Sequence, residues 1–214
     1  LAARKRGIKS SGNRSGAAAG SNWEDHLTRR ARAENYPARS IYKLKEIQEK
    51  FRIVQKQDVV LDLGCAPGSW MLYAAEQTGP EGRVFGIDIQ PVEIDLPPNV
   101  TVIQKDILEM AEDPFFEQVS GCRAVLSDMA PATTGRKDVD AFRSFELCRM
   151  ALSTADRVLA ENGHFVCKIF QGNEFSQFEK QVKQRFAECR IFKPESCRKQ
   201  SKEIYIIAKH KRLK

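Results

Sequence analysis

The chain has 214 residues, 42% of them hydrophobic, which suits one domain with a full core and a short extension. No apolar run approaches the ~18 residues that span a bilayer, Ala17-Ala18-Ala19 is too short for the apolar part of a secretory signal, and the cysteines read as buried thiols rather than disulfides, from which a cytoplasmic protein is expected. The net charge is +7 and unevenly placed: residues 1–52 hold 13 Lys/Arg against 5 Asp/Glu, whereas the remainder holds 22 against 23.

That basic N-terminal quarter predicts an acidic polymer as partner, against the plainer reading of a tail that aids solubility. The first residue is Leu1, so a processed or truncated chain is expected. Residues 1–20, rich in Gly, Ser, Ala and basic side chains, read as a disordered basic tail. Residues 21–52 read as a basic helical extension, with a polar helix over 22–34 and, past Pro37, a second over Arg39–Phe51. In the second helix Ile41, Leu44, Ile47 and Phe51 recur at spacings of three, three and four, one buried face, with Lys43 off it.

Residues 53–214 form the main domain. Strands are predicted at 58–63, 83–88, 100–104, 123–127, 163–169 and 203–209, with another near 189–193, and helices at 69–78, 140–160 and 173–186. The helix over 140–160 carries a stripe of Phe145, Cys148, Leu152, Ala155 and Leu159, and Asn162-Gly163 is expected to stop it at a C-cap. Strands separated by helices imply an α/β fold, a doubly wound, mostly parallel sheet with helices on both faces. The six cysteines include no Cys-x-x-Cys pair and the three histidines are scattered, so buried thiols and no metal site are expected.

The segment Asp62-Leu63-Gly64-Cys65-Ala66-Pro67-Gly68-Ser69-Trp70 sits between the first strand and a helix. A glycine turn there lets backbone approach a ligand, and the helix start offers free N–H groups. Asp88 ends the next strand, 20 residues past Gly68, where a carboxylate can take a ribose diol. The turn lacks Gly-x-Gly-x-x-Gly, which argues against an NAD-dependent oxidoreductase. In such sheets ligands sit beyond the carboxyl ends of the strands. Asp106 and Asp128 follow two of those ends, and Lys168 lies near a third. Glu203 starts the last strand and reaches the same edge if that strand is antiparallel. A lysine within an apolar strand costs free energy unless paired, and Asp128 and Glu203 are the candidate partners of Lys168.

With Arg39-Ser40-Ile41-Tyr42-Lys43-Leu44, Ser127-Asp128-Met129-Ala130-Pro131, Val166-Cys167-Lys168-Ile169-Phe170-Gln171-Gly172 and Ser201-Lys202-Glu203-Ile204-Tyr205 added to the turn, the chain resembles the FtsJ-type ribose 2′-O-methyltransferases from about Arg39 to Lys209. The resemblance implies a Rossmann-like methyltransferase sheet with a last antiparallel strand, and S-adenosylmethionine as cofactor. It places a catalytic tetrad on Lys43, Asp128, Lys168 and Glu203, and cofactor positions on Gly68, Trp70, Asp88, Asp106 and Asp128. Ser69 stands where many members carry a second glycine. The implied substrate is a uridine ribose in 23S ribosomal RNA, within the 50S subunit, and the implied enzyme is a monomer. Transfer RNA and messenger RNA caps are the rival substrates. A non-catalytic RNA-binding protein of this fold would lack a tetrad residue, and none is missing. Lys168 either takes the proton of the 2′-hydroxyl or orients that hydroxyl, while Lys43 steers the substrate.

Overall fold

The computed structural model describes residues 21–110 and 113–213; the expected tail over 1–20 lies outside them. Two helices, Ser21–Ala33 (α1) and Ile41–Phe51 (α2), precede a sheet whose central strand is Val59–Leu63 (β1). The chain continues through Ser69–Thr78 (α3), Arg83–Asp88 (β2), Val100–Gln104 (β3), a short 3-10 turn Ile107–Glu109, Phe115–Gln118 (α4) and Cys122–Ser127 (β4). It ends with Lys137–Val158 (α5), Leu159–Phe170 (β5), Phe175–Arg185 (α6), Phe186–Phe192 (β6) and Glu203–Lys211 (β7). The 3-10 turn and α4 are too short to leave a periodic signal in the sequence.

The seven strands lie in the order β3-β2-β1-β4-β5-β7-β6. β1 pairs in parallel with β2 and β4, while β7 runs antiparallel to both β5 and β6. Strands buried on both faces read as continuous apolar runs, which is why β1, β4 and β5 are plain in the sequence. On one face Leu61, Leu63, Phe165 and Ile169 pack with Phe115 of α4, Phe145 of α5 and Phe178 of α6. On the other, Val60, Trp70, Met71 and Tyr205 share a core with Leu44 and Ile47, so α2 is built into that layer. α1 joins through Leu27, Ala31, Tyr36, Ile41 and Tyr42.

The Asn162-Gly163 pair does not cap α5, which ends at Val158 with Leu159 already extended. The last carbonyls of α5 are met instead by Lys211, whose Nζ donates to the oxygens of Asp156 at 2.6 Å and Leu159 at 2.8 Å. A cation at a helix C-terminus satisfies those acceptors and the dipole together, so no glycine cap is required. Asn162, at φ +60°, serves an irregularity in the sheet where the β4–β5 register shifts between Cys122 and Ala124.

Candidate active site

The carboxyl ends of β1, β2, β3 and β4 open on a cleft of about 940 Å³, lined among others by Gly64, Ala66, Asp88, Asp106, Asp128 and Met129. The β1–α3 turn closes its floor. Gly64 is left-handed at φ +77°, and a Cβ there would stand 2.5 Å from Met129 Cγ. Gly68, at φ +112°, begins α3, and a Cβ there would stand 2.5 Å from Ile94 Cδ1. Both positions therefore need glycine for backbone conformation and for space.

Asp88 is held by two backbone N–H donors: Ala66 to Oδ2 and Gln90 to Oδ1, each at 2.8 Å. It clamps the turn while lining the cleft. Asp106 caps the 3-10 turn, accepting from Leu108 N–H at 2.9 Å, and also lines the cleft. Gly68 and Trp70 do not line it. Trp70 is buried, its indole N–H donates to the Ser40 carbonyl at 2.9 Å, and its ring packs on Tyr205. Its ring thus supports the site from within the core, at the start of the helix that follows the glycine turn.

Beside the cleft the structure brings together Lys43, Asp128, Lys168 and Glu203 as two ion pairs. Lys168 is buried, with Nζ 3.0 Å from Asp128 Oδ1 and donating also to the Asp128 carbonyl. Lys43 Nζ lies 3.1 Å from Glu203 Oε2. Of the two carboxylates expected beside Lys168, only Asp128 pairs with it. The antiparallel register explains this: Lys168 stands opposite Tyr205, and Glu203 opposite Phe170.

Tyr205 closes the last motif, and nothing in the sequence assigns it a role. It is fully buried between the pairs, its hydroxyl donates to Asp128 Oδ1 at 2.6 Å, and Lys43 Nζ lies 5.9 Å from its ring centroid. A signal for it exists: residues 203 and 205 of one strand face the same side. Burial pushes the Asp128 pKa up, yet Lys168, Lys43 and the Tyr205 hydroxyl outweigh it and hold the carboxyl below its usual range. Burial likewise pushes the Lys43 pKa down, and Asp128 and Glu203 outweigh it, so the net shift is upward. The charged groups thus sustain one another in a site that excludes most water.

Asp62, near the end of β1, opens the turn segment, but the sequence assigns it no role. It is 1% exposed, and neither carboxylate oxygen has a hydrogen-bond partner. Burial first, then the charges of Asp128 and Asp88, raise its pKa well above the ordinary carboxyl value. Among the described residues no cluster of His, Cys, Asp and Glu could hold a metal ion, and no helix is long and apolar enough to cross a membrane.

A sheet of this strand order with a glycine turn and two acidic strand ends over the cleft defines a Rossmann-like methyltransferase. The model of the FtsJ-like methyltransferases matches residues 36–211, and the chain belongs to that family. It is 62% identical over 186 residues to the ribosomal RNA large subunit methyltransferase E of Desulforapulum autotrophicum, covering 86% of this chain and 91% of that one. The enzyme of the same name from Desulfosudis oleivorans is 49% identical over 183 residues, covering 86% and 88%. Among solved structures, a ribosomal RNA methyltransferase from Plasmodium falciparum superposes with a TM-score of 0.70 at 28% identity, covering 82% of this chain and 98% of that one.

Proposed function

We propose that this protein transfers a methyl group from S-adenosylmethionine to the 2′-hydroxyl of a uridine ribose in 23S ribosomal RNA, acting as a monomer on the 50S subunit in the cytoplasm. The observation that carries the reading is the double ion pair, Lys168–Asp128 and Lys43–Glu203, set at the edge of the cleft. The names of the relatives supply the substrate class.

The residues present fit the cofactor. Asp88 and Asp106 stand at strand ends on the cleft wall, suited to the ribose diol and the adenine, and the glycine turn brings backbone to the same surface. When bound, S-adenosylmethionine supplies an electrophilic methyl on a sulfonium. Asp128 borders both the cleft and the tetrad, so it orders the two substrates relative to each other. Transfer is an in-line displacement, and correct placement of the two reacting atoms supplies much of its rate. Lys168 is fixed through two contacts to Asp128, which directs the amine's remaining hydrogen-bonding capacity at the incoming hydroxyl. Lys168, the ammonium of that pair, donates to the hydroxyl oxygen and orients it, and the hydroxyl proton leaves to solvent late in the reaction, as the oxygen–carbon bond forms and the methyl's bond to sulfur breaks. Lys43, braced by Glu203, steers the ribose and its phosphate.

The test is incubation with methyl-labelled S-adenosylmethionine and large subunits from cells lacking this enzyme, with transfer RNA and capped RNA as parallel substrates. Label mapping to a 2′-oxygen of 23S RNA is expected. Lys168→Ala is expected to abolish transfer while the cofactor dissociation constant changes less than about threefold, since Lys168 does not line the cleft. Label on a base, or on the rival RNAs alone, would refute the substrate. Wild-type turnover in Lys168→Ala would refute the mechanism.

A further inference from the structure

α2 has two stripes. Ile41, Leu44 and Ile47 face the core. On another side Lys43, Glu46 and Lys50, with Arg39 just ahead of the helix, recur at spacings of four, three and four, and each meets the end of the β6–β7 hairpin. Arg39 Nη2 donates to the Ser196 carbonyl at 3.0 Å, and Lys43 pairs with Glu203. Lys50 Nζ lies 4.7 Å from the Phe192 ring centroid. Glu46 makes the most specific contact. Its Oε2 accepts from Glu195 N–H at 2.6 Å and its Oε1 from Ser196 N–H at 2.9 Å. One carboxylate thus captures two consecutive backbone donors, and charge-assisted bonds of this kind are about twice as strong as neutral ones.

The captured segment is the connection 193–202. At ten residues it exceeds the two to five usual for a hairpin. Left loose, such a loop would lose conformational freedom on binding a partner. Here its first half and its end are seated. Pro194, Ser196 and Cys197 are buried, the Cys197 thiol contacts Glu203, and the Lys202 carbonyl accepts from Gln171 N–H at 3.0 Å. Of its four exposed cations, Lys193 donates to the Ser201 carbonyl at 2.8 Å, and Arg198, Lys199 and Lys202 lie within the five residues before Glu203.

We propose that Glu46 is a positioning residue for RNA: it seats the β6–β7 connection against α2 so that Arg198, Lys199 and Lys202 engage substrate phosphates beside the tetrad. Glu46 lies one turn beyond Lys43, so the same helix face that presents the catalytic lysine sets the place of the basic loop. The inference rests on the RNA substrate proposed above.

The experiment compares the full chain with Glu46→Ala, Glu46→Gln, the double variant Lys199→Ala/Lys202→Ala and their combination. For each, KM for RNA, kcat, the salt dependence of RNA binding, the cofactor dissociation constant and the melting temperature are measured. Glu46→Ala is expected to raise KM about tenfold, with kcat and cofactor affinity within about threefold, because loop order is lost while the site remains. The log–log salt slope should fall by roughly 0.7–0.9 for each phosphate that the loop no longer engages. Glu46→Gln, which keeps one acceptor oxygen, should be intermediate. Adding Glu46→Ala to the lysine double variant should cost less than about twofold more, since both act through the same phosphates. If Glu46→Ala fails to fold, the Gln variant and its combination with the lysine pair give the same non-additivity. RNA methylation by the wild type with an unchanged KM in Glu46→Ala, full additivity, or equal losses of cofactor and RNA affinity would each overturn this role alone. No RNA methylation by the wild type would overturn the substrate reading with it.

Discussion

Replacing Tyr205 by Phe removes one oxygen from a fully buried ring and leaves its packing on Trp70 and its place beside Lys43 intact. The substitution deletes the 2.6 Å bond to Asp128 Oδ1. A hydrogen bond to a charged group is worth about 1.5–3 kcal/mol. If that energy holds Asp128 and Lys168 in register, its loss lowers kcat by about 10- to 150-fold. Lys168 still holds the carboxylate, so the lower end of that range is expected. The hydroxyl is also one of the groups that depress the Asp128 pKa, which therefore rises in the variant. A depressed carboxyl pKa keeps the ion pair intact down to lower pH, so in Tyr205→Phe the acid limb of the kcat profile shifts upward. Single-turnover rates with saturating RNA and cofactor, measured across pH, test both effects. Unchanged rates with an unmoved acid limb would show that Tyr205 only fills space.

Asp88→Ala should weaken cofactor binding by about 1.5–3 kcal/mol in calorimetry, and Asp88→Asn by less because it keeps an acceptor for the Ala66 or Gln90 N–H; an unchanged constant would remove Asp88 from the pocket. His164 is buried, and burial first, then the charges of Lys209, His210 and Arg123, push its pKa down to about 4. A depressed histidine contributes stability that is full above its unfolded value near 6.5 and lost as pH falls toward 4, up to about 3 kcal/mol. His164→Gln should flatten stability across that window, and urea titrations that remain equally steep in acid would contradict this. Asp62 titrates in the opposite sense: its raised pKa makes the protein most stable below the unfolded value near 4 and less so as pH rises. Asp62→Asn should therefore gain on the wild type in melting temperature between pH 4 and 8, and a gap independent of pH would show that Asp62 is ionised in both states.

The alternation of apolar runs and helical stripes determined the doubly wound sheet, because which face a residue buries is encoded within ten or so neighbours. Residue types at the strand ends, joined to the motif resemblance, are enough to select Lys43, Asp128, Lys168 and Glu203. Asp128 was a candidate partner of Lys168 from the sequence, but the choice between it and Glu203, and the pairing of Glu203 with Lys43, were not legible. Both depend on β7 running antiparallel with Lys168 opposite Tyr205, a register set between residues 37 positions apart in the chain. Long separation in sequence likewise hid the hydroxyl of Tyr205 on Asp128 and the carboxylate of Glu46 on residues 195–196. The burial of the Trp70 ring and the place of Asn162 were hidden for a related reason. A motif position says that a side chain is near a ligand, and a turn residue says that the chain bends, but only packing decides whether the indole faces the cleft or the core. Likewise Lys211, 53 residues downstream of Val158, ends α5 where local chemistry pointed to a glycine. Local pattern thus specified the elements and the chemical inventory of the site, and the burial of two sheet faces against helices decided which charges meet.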